Sequence, residues 1–294
     1  MRTRTGQAPR LGFTLIELLV VITIIAVLAA LGTAAFQRVR VAGKRTATVS
    51  DINNMNIAIG KFKGDFGFNP PQYMRFPVTA PPNAGVNGAE MDAGYAILKS
   101  MFRAYNAPAA ATPFGSITNM NGQVISGSQC LVFFLGGPQL QGFDSTGPIT
   151  PAGTAKKGPY MDFDLNRVFD NKNPTDYVNN NRYLDTWGTP YAYFSSGRSD
   201  NYIYAMQSIP TDNGVQNIGT FKDSAKKWVN MGGVQIISAG PNQLFGAGSL
   251  SQVTPSILFN NLWTPEAAPY GPGDPGEDDI ANFNNGLQLG SSSK

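Results

Sequence analysis

Two groups of residues carry charge where charge is costly, and any chemistry is sought there first. The first is Gly12-Phe13-Thr14-Leu15-Ile16-Glu17, a Gly–Phe junction followed by one carboxylate inside an apolar run. If the chain were cut after Gly12, a new α-ammonium would lie at Phe13, four residues before Glu17. In hydrocarbon the two attract strongly, because a low dielectric magnifies their interaction. The pair could close within one helix or between neighbouring subunits. A carboxylate in a membrane helix costs about 2.5–3.5 kcal/mol on insertion scales for Asp and is functional by default. The plainer use is an anchor whose Glu17 snorkels to the interface. The second group is Asp274, Glu277, Asp278 and Asp279, set among glycines and prolines. Ca²⁺ takes six to eight oxygens from carboxylates and carbonyls, so a cation would order this self-repelling loop. The plainer use is a solvated acidic turn.

The first group needs an element to hold it. Phe13 to Phe36 is an apolar run of 24 residues. As a helix rising about 1.5 Å per residue it would be roughly 36 Å long, enough to span a bilayer with some tilt. Arg2, Arg4 and Arg10 precede it with no acid among them, which places the N-terminus on the cytoplasmic side. An ordinary secretory signal needs a shorter apolar segment followed by a small-residue cleavage site. Here the small-residue junction precedes the run, so cleavage would leave the helix on the mature chain.

These residues resemble the class III signal of type IV pilins and type II secretion pseudopilins. The resemblance implies cleavage after Gly12 by a prepilin peptidase and N-methylation of Phe13. It also implies that Glu17 neutralises the N-terminal charge of an adjacent subunit during fibre assembly.

Composition narrows the functional classes. The chain has 294 residues, no histidine and one cysteine, Cys130. An internal disulfide, a Cys/His zinc site, and Ser-His-Asp or Cys-His catalysis are therefore excluded. Cys130 lies in an apolar run and reads as a small buried hydrophobe. Removing the leader takes three of the 22 basic side chains and none of the 19 acidic ones, which leaves the side-chain charge balanced. No nucleic-acid partner is implied. Arg38, Arg40, Lys44 and Arg45 read as a juxtamembrane charge cluster.

The helix is expected to continue past the apolar run. Val49, Ile52, Met55, Ile59, Phe62 and Phe66 form one stripe at helical spacing, and Gly67 with Pro70-Pro71 ends it. Gly32 and Gly43 are points where it could bend. A second helix is expected over about 90–105. Ser128 to Leu135 fits a strand or a short helix, and Ser128 as N-cap with Gly136 as its stop favours the helix. Residues 76–89, 106–128 and 136–182 read as loop or turn-rich. Strands are expected at Pro190–Ser195, Asn201–Met206 and Gly233–Ser238, with Ser196 to Ser199 as a hairpin turn. Lys222 to Val229 reads as a short helix.

The soluble half extends the resemblance. Val49 to Ile52, then Phe62, Asp65, Gly67 and Pro70, are similar to the end of the long helix in the major pseudopilin of type II secretion. Tyr183 to Tyr193 resembles that family's Asp-x-Trp-Gly-x-Pro-Tyr-x-Tyr element, entering its sheet. Ile237 to Asn242, with Gly276 to Ile280 and Phe283, resembles its C-terminal calcium-binding loop. The resemblance thus implies Ca²⁺ held by Asn242, Glu277, Asp278 and Asp279, with Glu277 and Asp279 the best-matched carboxylates. Three departures stand out. Ala34 occupies a position where the family usually has proline, Asn242 stands where Asp is common, and surplus chain falls at about 72–182 and 246–275.

The expected fold is therefore α+β and pilin-like, a long N-terminal helix packed on a small antiparallel sheet with large loop and helix insertions. Residues 1–12 are a cleaved leader, 13–36 a transmembrane and fibre-core helix, 37–67 its amphipathic continuation, and 68–294 a periplasmic globular domain. The expected role is a structural, non-enzymatic subunit of a type II secretion pseudopilus in the bacterial inner membrane, supporting export. Its partners would be copies of itself, other pseudopilins, the prepilin peptidase and the inner-membrane assembly platform. The alternative is a minor type IV pilin in a surface fibre for adhesion, motility or DNA uptake. An anchored glycosidase using Asp162, Asp164 or Asp170 is a weaker reading, because nothing in the sequence pairs them. Asp185, Trp187, Tyr191 and Tyr193 read as turn and core packing rather than a sugar platform, since alternation puts both tyrosines on one sheet face.

Overall fold

A computed structural model describes residues 13–77, 88–102, 122–144, 156–168, 182–196, 220–222, 232–246, 260–262, 276–285 and 287–290, with a few single positions between them. Helix α1 runs Leu15–Phe66, 52 residues without a proline. It passes through Gly32, Ala34 and Gly43 as helix. It ends at Gly67, whose φ of 80° suits glycine and whose amide donates to the Lys63 carbonyl at 2.8 Å.

The chain divides into two compact units, one up to Lys44 and one from Arg45 onward. In the first, every residue from Phe13 to Gly43 whose side chain is described is exposed. The apolar residues surround the helix instead of forming a stripe, so no single face can be hidden against a domain.

In the second unit the pattern becomes amphipathic. Ile52, Met55, Ile59 and Phe62 are buried, while Val49 and Phe66 pack partly against the same core. Phe62 sits at the centre of an aromatic cluster, meeting Phe66, Phe68, Phe134 and Tyr160 at centroid distances of 4.7, 5.8, 5.8 and 5.5 Å. These pairs are tilted or edge-to-face, the arrangements ring quadrupoles favour.

The remaining elements are short. Strand β1 (Tyr73–Arg75) precedes α2 (Gly88–Met101), and β2 (Val124–Ser126) pairs antiparallel with β1. Strand β2 thus lies within 106–128, a stretch expected to be loop. Three-residue strands give too little alternation to detect, and β2 is specified by its non-local partner. Helix α3 (Ser128–Gly136) is buried along its whole length. Its cap residues are Gly127 and Gly137, so Ser128 is its first residue rather than the N-cap and Gly136 lies inside it. Cys130 is buried there and its thiol donates to the Ile125 carbonyl at 3.3 Å.

Strands β3 (Phe143–Asp144) and β4 (Lys156–Lys157) form an antiparallel pair. The central sheet is β5 (Ala192–Ser195), then β7 (Val234–Ser238), then β9 (Ile280–Ala281), all antiparallel. Its two faces serve separate cores. Tyr193, Val234, Ile236 and Ile280 face the cluster around α1, and Ala192, Phe194, Ile237 and Ala281 face a smaller one. Between β5 and β7 in sequence lies β6 (Thr220–Lys222), which pairs parallel with β8 (Asn260–Leu262). Lys222 is therefore strand, not the start of a helix. The Gln235 side chain accounts for this, accepting from the Phe221 amide at 2.8 Å and donating to the Phe221 carbonyl at 3.0 Å. The expected strand at 201–206 and the turn at 197–199 lie outside the described residues. The fold is α+β with a long N-terminal helix and small, largely antiparallel sheets, consistent with a pilin-like fold.

Candidate functional site

At the start of α1, Thr14 and Glu17 form a reciprocal cap. The Thr14 amide and hydroxyl both donate to Glu17 Oε2 at 2.8 Å, and the Glu17 amide donates to Thr14 Oγ1 at 3.2 Å. This is a capping box, in which helix-start amides without internal partners are satisfied by two side chains three residues apart. The Thr-x-x-Glu spacing before an apolar run is the local sequence signal for it. Phe13 is exposed at 79% beside this cap. Gly12 and the leader lie outside the described residues.

The acidic loop folds against the end of β7. Asn242 donates its amide to Asp278 Oδ2 at 2.9 Å, and its own Oδ1 accepts from the Leu244 amide at 2.7 Å. Gly246 donates to Asp279 Oδ2 at 3.0 Å. The two segments that the sequence separates, 242–246 and 278–279, are thus in direct contact. Gly240 allows that approach, since it has φ 68° and a Cβ there would lie 2.4 Å from the Asp278 carbonyl oxygen. Glu277 joins the loop through its backbone, with its amide donating to the Asp274 carbonyl and its carbonyl accepting from Gly290.

Asp279 is fully buried, and Asp278 is half-buried. The Oδ1 atoms of both are enclosed and have no hydrogen-bond partner. Burial pushes the Asp279 carboxyl well above the usual carboxylate range, and burial raises Asp278 as well. Asp185 is also buried and raised by burial, although the Ser238 hydroxyl donates to its Oδ2 at 2.6 Å. Its Oδ1 accepts from the amides of Trp187 and Thr189 at 2.9 Å each, which closes the Trp-Gly turn. Two adjacent carboxylates, one buried and one half-buried, each with an enclosed and unmatched oxygen, suit a cation. Among the described residues, no group of three or more Asp, Glu, Cys or His side chains is arranged to hold one.

The tyrosines of the Trp-Gly element are core residues. Tyr193 donates its hydroxyl to the Pro70 carbonyl at 2.6 Å, and Tyr191 donates to Asp51 Oδ2 at 3.0 Å. Asp51 also pairs with Arg167 Nη2 at 2.6 Å. The Arg167 side chain lies over the Tyr183 ring at 4.7 Å and donates to the Leu184 carbonyl. Tyr160, seven residues earlier, donates its hydroxyl to Asp65 Oδ2 at 2.7 Å. Residues 157–167 therefore run as a strap along α1 from Phe66 back to Asp51, with Lys157 Nζ lying 4.7 Å from the Phe66 ring. No sequence pattern marked this strap. Asp164, a candidate glycosidase carboxylate in the sequence, caps the turn at Leu165–Arg167. Asp170 lies outside the described residues.

Residues 8–33 match the prokaryotic N-terminal methylation motif. That motif is the signal of type IV pilin-like precursors, which prepilin peptidase processes and which assemble into fibres. No match was found among curated proteins or among solved structures. The motif and the α+β architecture support a pilin-like precursor. Helix α1 is long and apolar enough to cross a membrane, and together with the motif it supports membrane anchoring.

Proposed function

We propose that this chain is a structural subunit of a type II secretion pseudopilus. It is cleaved after Gly12, methylated at Phe13, and packed through its N-terminal helix into a fibre that supports protein export. The observation that carries this reading is the methylation motif on a helix whose apolar residues remain exposed all round, Leu15 at 79% and Leu31 at 70% among them. Such a surface must be covered by lipid or by copies of itself. The N-terminus lies on the cytoplasmic side and the globular unit in the periplasm, in keeping with the leader arginines. The chain catalyses nothing. The secretion system is favoured over a surface pilus by the Asp185–Tyr193 element, which enters the sheet at β5, and by the contact of 242–246 with 278–279.

Calcium is part of the proposal. Asp278 and Asp279 would hold it through their unmatched oxygens, with Glu277 and Asn242 adjacent. A bound Ca²⁺ would neutralise the two carboxylates and fasten the loop to the end of β7. The surplus chain between β1 and Arg182 favours the second reading, a surface pilin that displays a ligand-binding face.

The test is Glu17→Ala in the native host, with intact-mass analysis of the membrane-extracted protein. Wild type should start at N-methylated Phe13 and appear in a sheared or cross-linked fibre fraction. Glu17→Ala should be processed and lost from fibres. A chain retaining residues 1–12, or an assembled Glu17→Ala variant, overturns the reading. Loss of secretion with surface fibres intact separates the pseudopilus from the pilus.

A further inference from the structure

The stretch of α1 just beyond the apolar run has a property that fibre assembly leaves unexplained. From Leu18 through Ser50 the sequence holds no acidic residue, yet Arg38, Arg40, Lys44 and Arg45 fall within it. Arg38 and Arg40 are exposed. They alternate with large apolar residues that are exposed too, Phe36 at 64%, Val39 at 71% and Val41 at 44%. At about 100° per residue, Arg38 and Arg40 stand on roughly opposite sides of the helix. The arrangement is a collar, not a stripe. A stripe suits one protein face, whereas a collar suits a medium that surrounds the helix. Apolar side chains within a turn of the guanidinium groups suit the boundary between hydrocarbon and headgroups, where long basic side chains bury their stems and keep their charge in the polar layer.

We infer that Arg38 and Arg40, with Lys44 on the next turn, form a collar that binds anionic phospholipid headgroups where α1 leaves the bilayer. The inference rests on the membrane-anchored reading of α1. Guanidinium forks hydrogen-bond phosphate in pairs, and each basic side chain near an anionic surface strengthens attachment about fivefold. Cleavage of the leader would remove Arg2, Arg4 and Arg10, so the collar holds the first basic side chains met along the mature helix. It would fix the depth of the subunit before it leaves the membrane.

The experiment uses the full chain in vesicles of phosphatidylcholine with a minor share of phosphatidylglycerol. Flotation reports anchoring. Lipid retained after mild-detergent extraction, quantified by mass spectrometry, reports recognition. Wild type should float and retain phosphatidylglycerol severalfold above its share. The Arg38→Gln/Arg40→Gln variant should float equally and lose at least about fivefold of that enrichment, as should wild type extracted in high salt. Lys63→Gln, on the part of α1 packed in the second unit, should change nothing. A floating wild type without enrichment overturns the collar, as does a double variant that keeps it. Unchanged lipid with loss of a copy-to-copy cross-link at position 38 would assign the arginines to a second copy instead. Failure to float in every lipid overturns the anchored reading and the collar with it.

Discussion

Helix α1 is one element under two regimes, and the contrast between them shows how apolar pattern encodes destination. Up to Gly43 the apolar residues lie on every side, and those whose side chains are described are all exposed. From Arg45 the apolar residues narrow to a stripe, and Ile52, Met55 and Phe62 are at most 1% exposed. The first pattern is left uncovered by the described residues, and lipid or further copies of the chain suit it. The second is satisfied internally, by aromatic rings from the segments that follow. Burial of a side chain is worth about 1.5–3 kcal/mol only where something covers it. The N-terminal half of α1 therefore contributes little to the stability of the isolated subunit, while the C-terminal half contributes much of it.

Phe62→Ala should be the most damaging substitution on α1. It should destabilise the second unit by about 3–5 kcal/mol, through lost transfer energy and a cavity among four rings. Ile25→Ala, chemically similar but exposed at 58%, should leave the same unfolding transition unmoved. Chemical denaturation of the full chain in detergent measures both, and equal losses would mean that the two halves of α1 contribute alike to stability.

Arg167→Ala comes next, at about 2 kcal/mol. It takes the counter-charge from the part-buried Asp51 carboxylate, leaving it the Tyr191 hydroxyl, and removes the bonds to Leu184. Hydrogen exchange of α1 should rise around Asp51 and not before Gly43. A uniform rise would mean that the strap does not hold this part of the helix.

Calcium should shift the thermal midpoint upward by a few degrees relative to chelator, and Asp279→Asn should abolish the shift. In chelator, the raised Asp279 carboxyl keeps in the folded state a proton that the unfolded chain releases near its ordinary value. Stability should then fall as pH rises above about 4 and level off once the folded carboxyl has ionised. Calcium should flatten that slope. A midpoint unchanged by millimolar calcium would remove the proposed site.

The smallest effect is Tyr160→Phe. Burial, then Asp65, raises the Tyr160 phenol above its ordinary range. The neutral phenol thus contributes stability that is fully present below about pH 10 and lost as pH climbs toward the folded value. At neutral pH the substitution should cost about 1 kcal/mol or less. Alkaline unfolding should begin at higher pH in the variant, and an unchanged onset would show that the Asp65 bond does not matter.

Legibility followed the range of the signal. The two segments of α1, helix α2, helix α3 and strands β5 and β7 were readable, because each is written in periodicity or alternation over adjacent residues. The shared face of Tyr191 and Tyr193 was readable for the same reason. Thr14 was legible in principle, since Thr-x-x-Glu is a local capping signature. Arg167, Gln235 and Asn282 were not. Asn282 accepts from the Ile236 amide at 3.0 Å and donates to Asn56 on α1 at 3.1 Å, across 226 positions of chain. A polar residue with a partner that distant looks like any other surface amide in the sequence.

By itself the sequence determined the chain's anchor and its signal. Length, uniform apolarity and the Gly–Phe–Glu spacing are properties of consecutive residues, and no folding partner is needed to read them. Tertiary structure decided what the carboxylates do. Asp51 became a strap partner, Asp185 a turn clasp, and Asp278 and Asp279 an enclosed pair with unmatched oxygens. A carboxylate's cost and use depend on its burial and on which donors face it, and those are fixed only when distant segments meet.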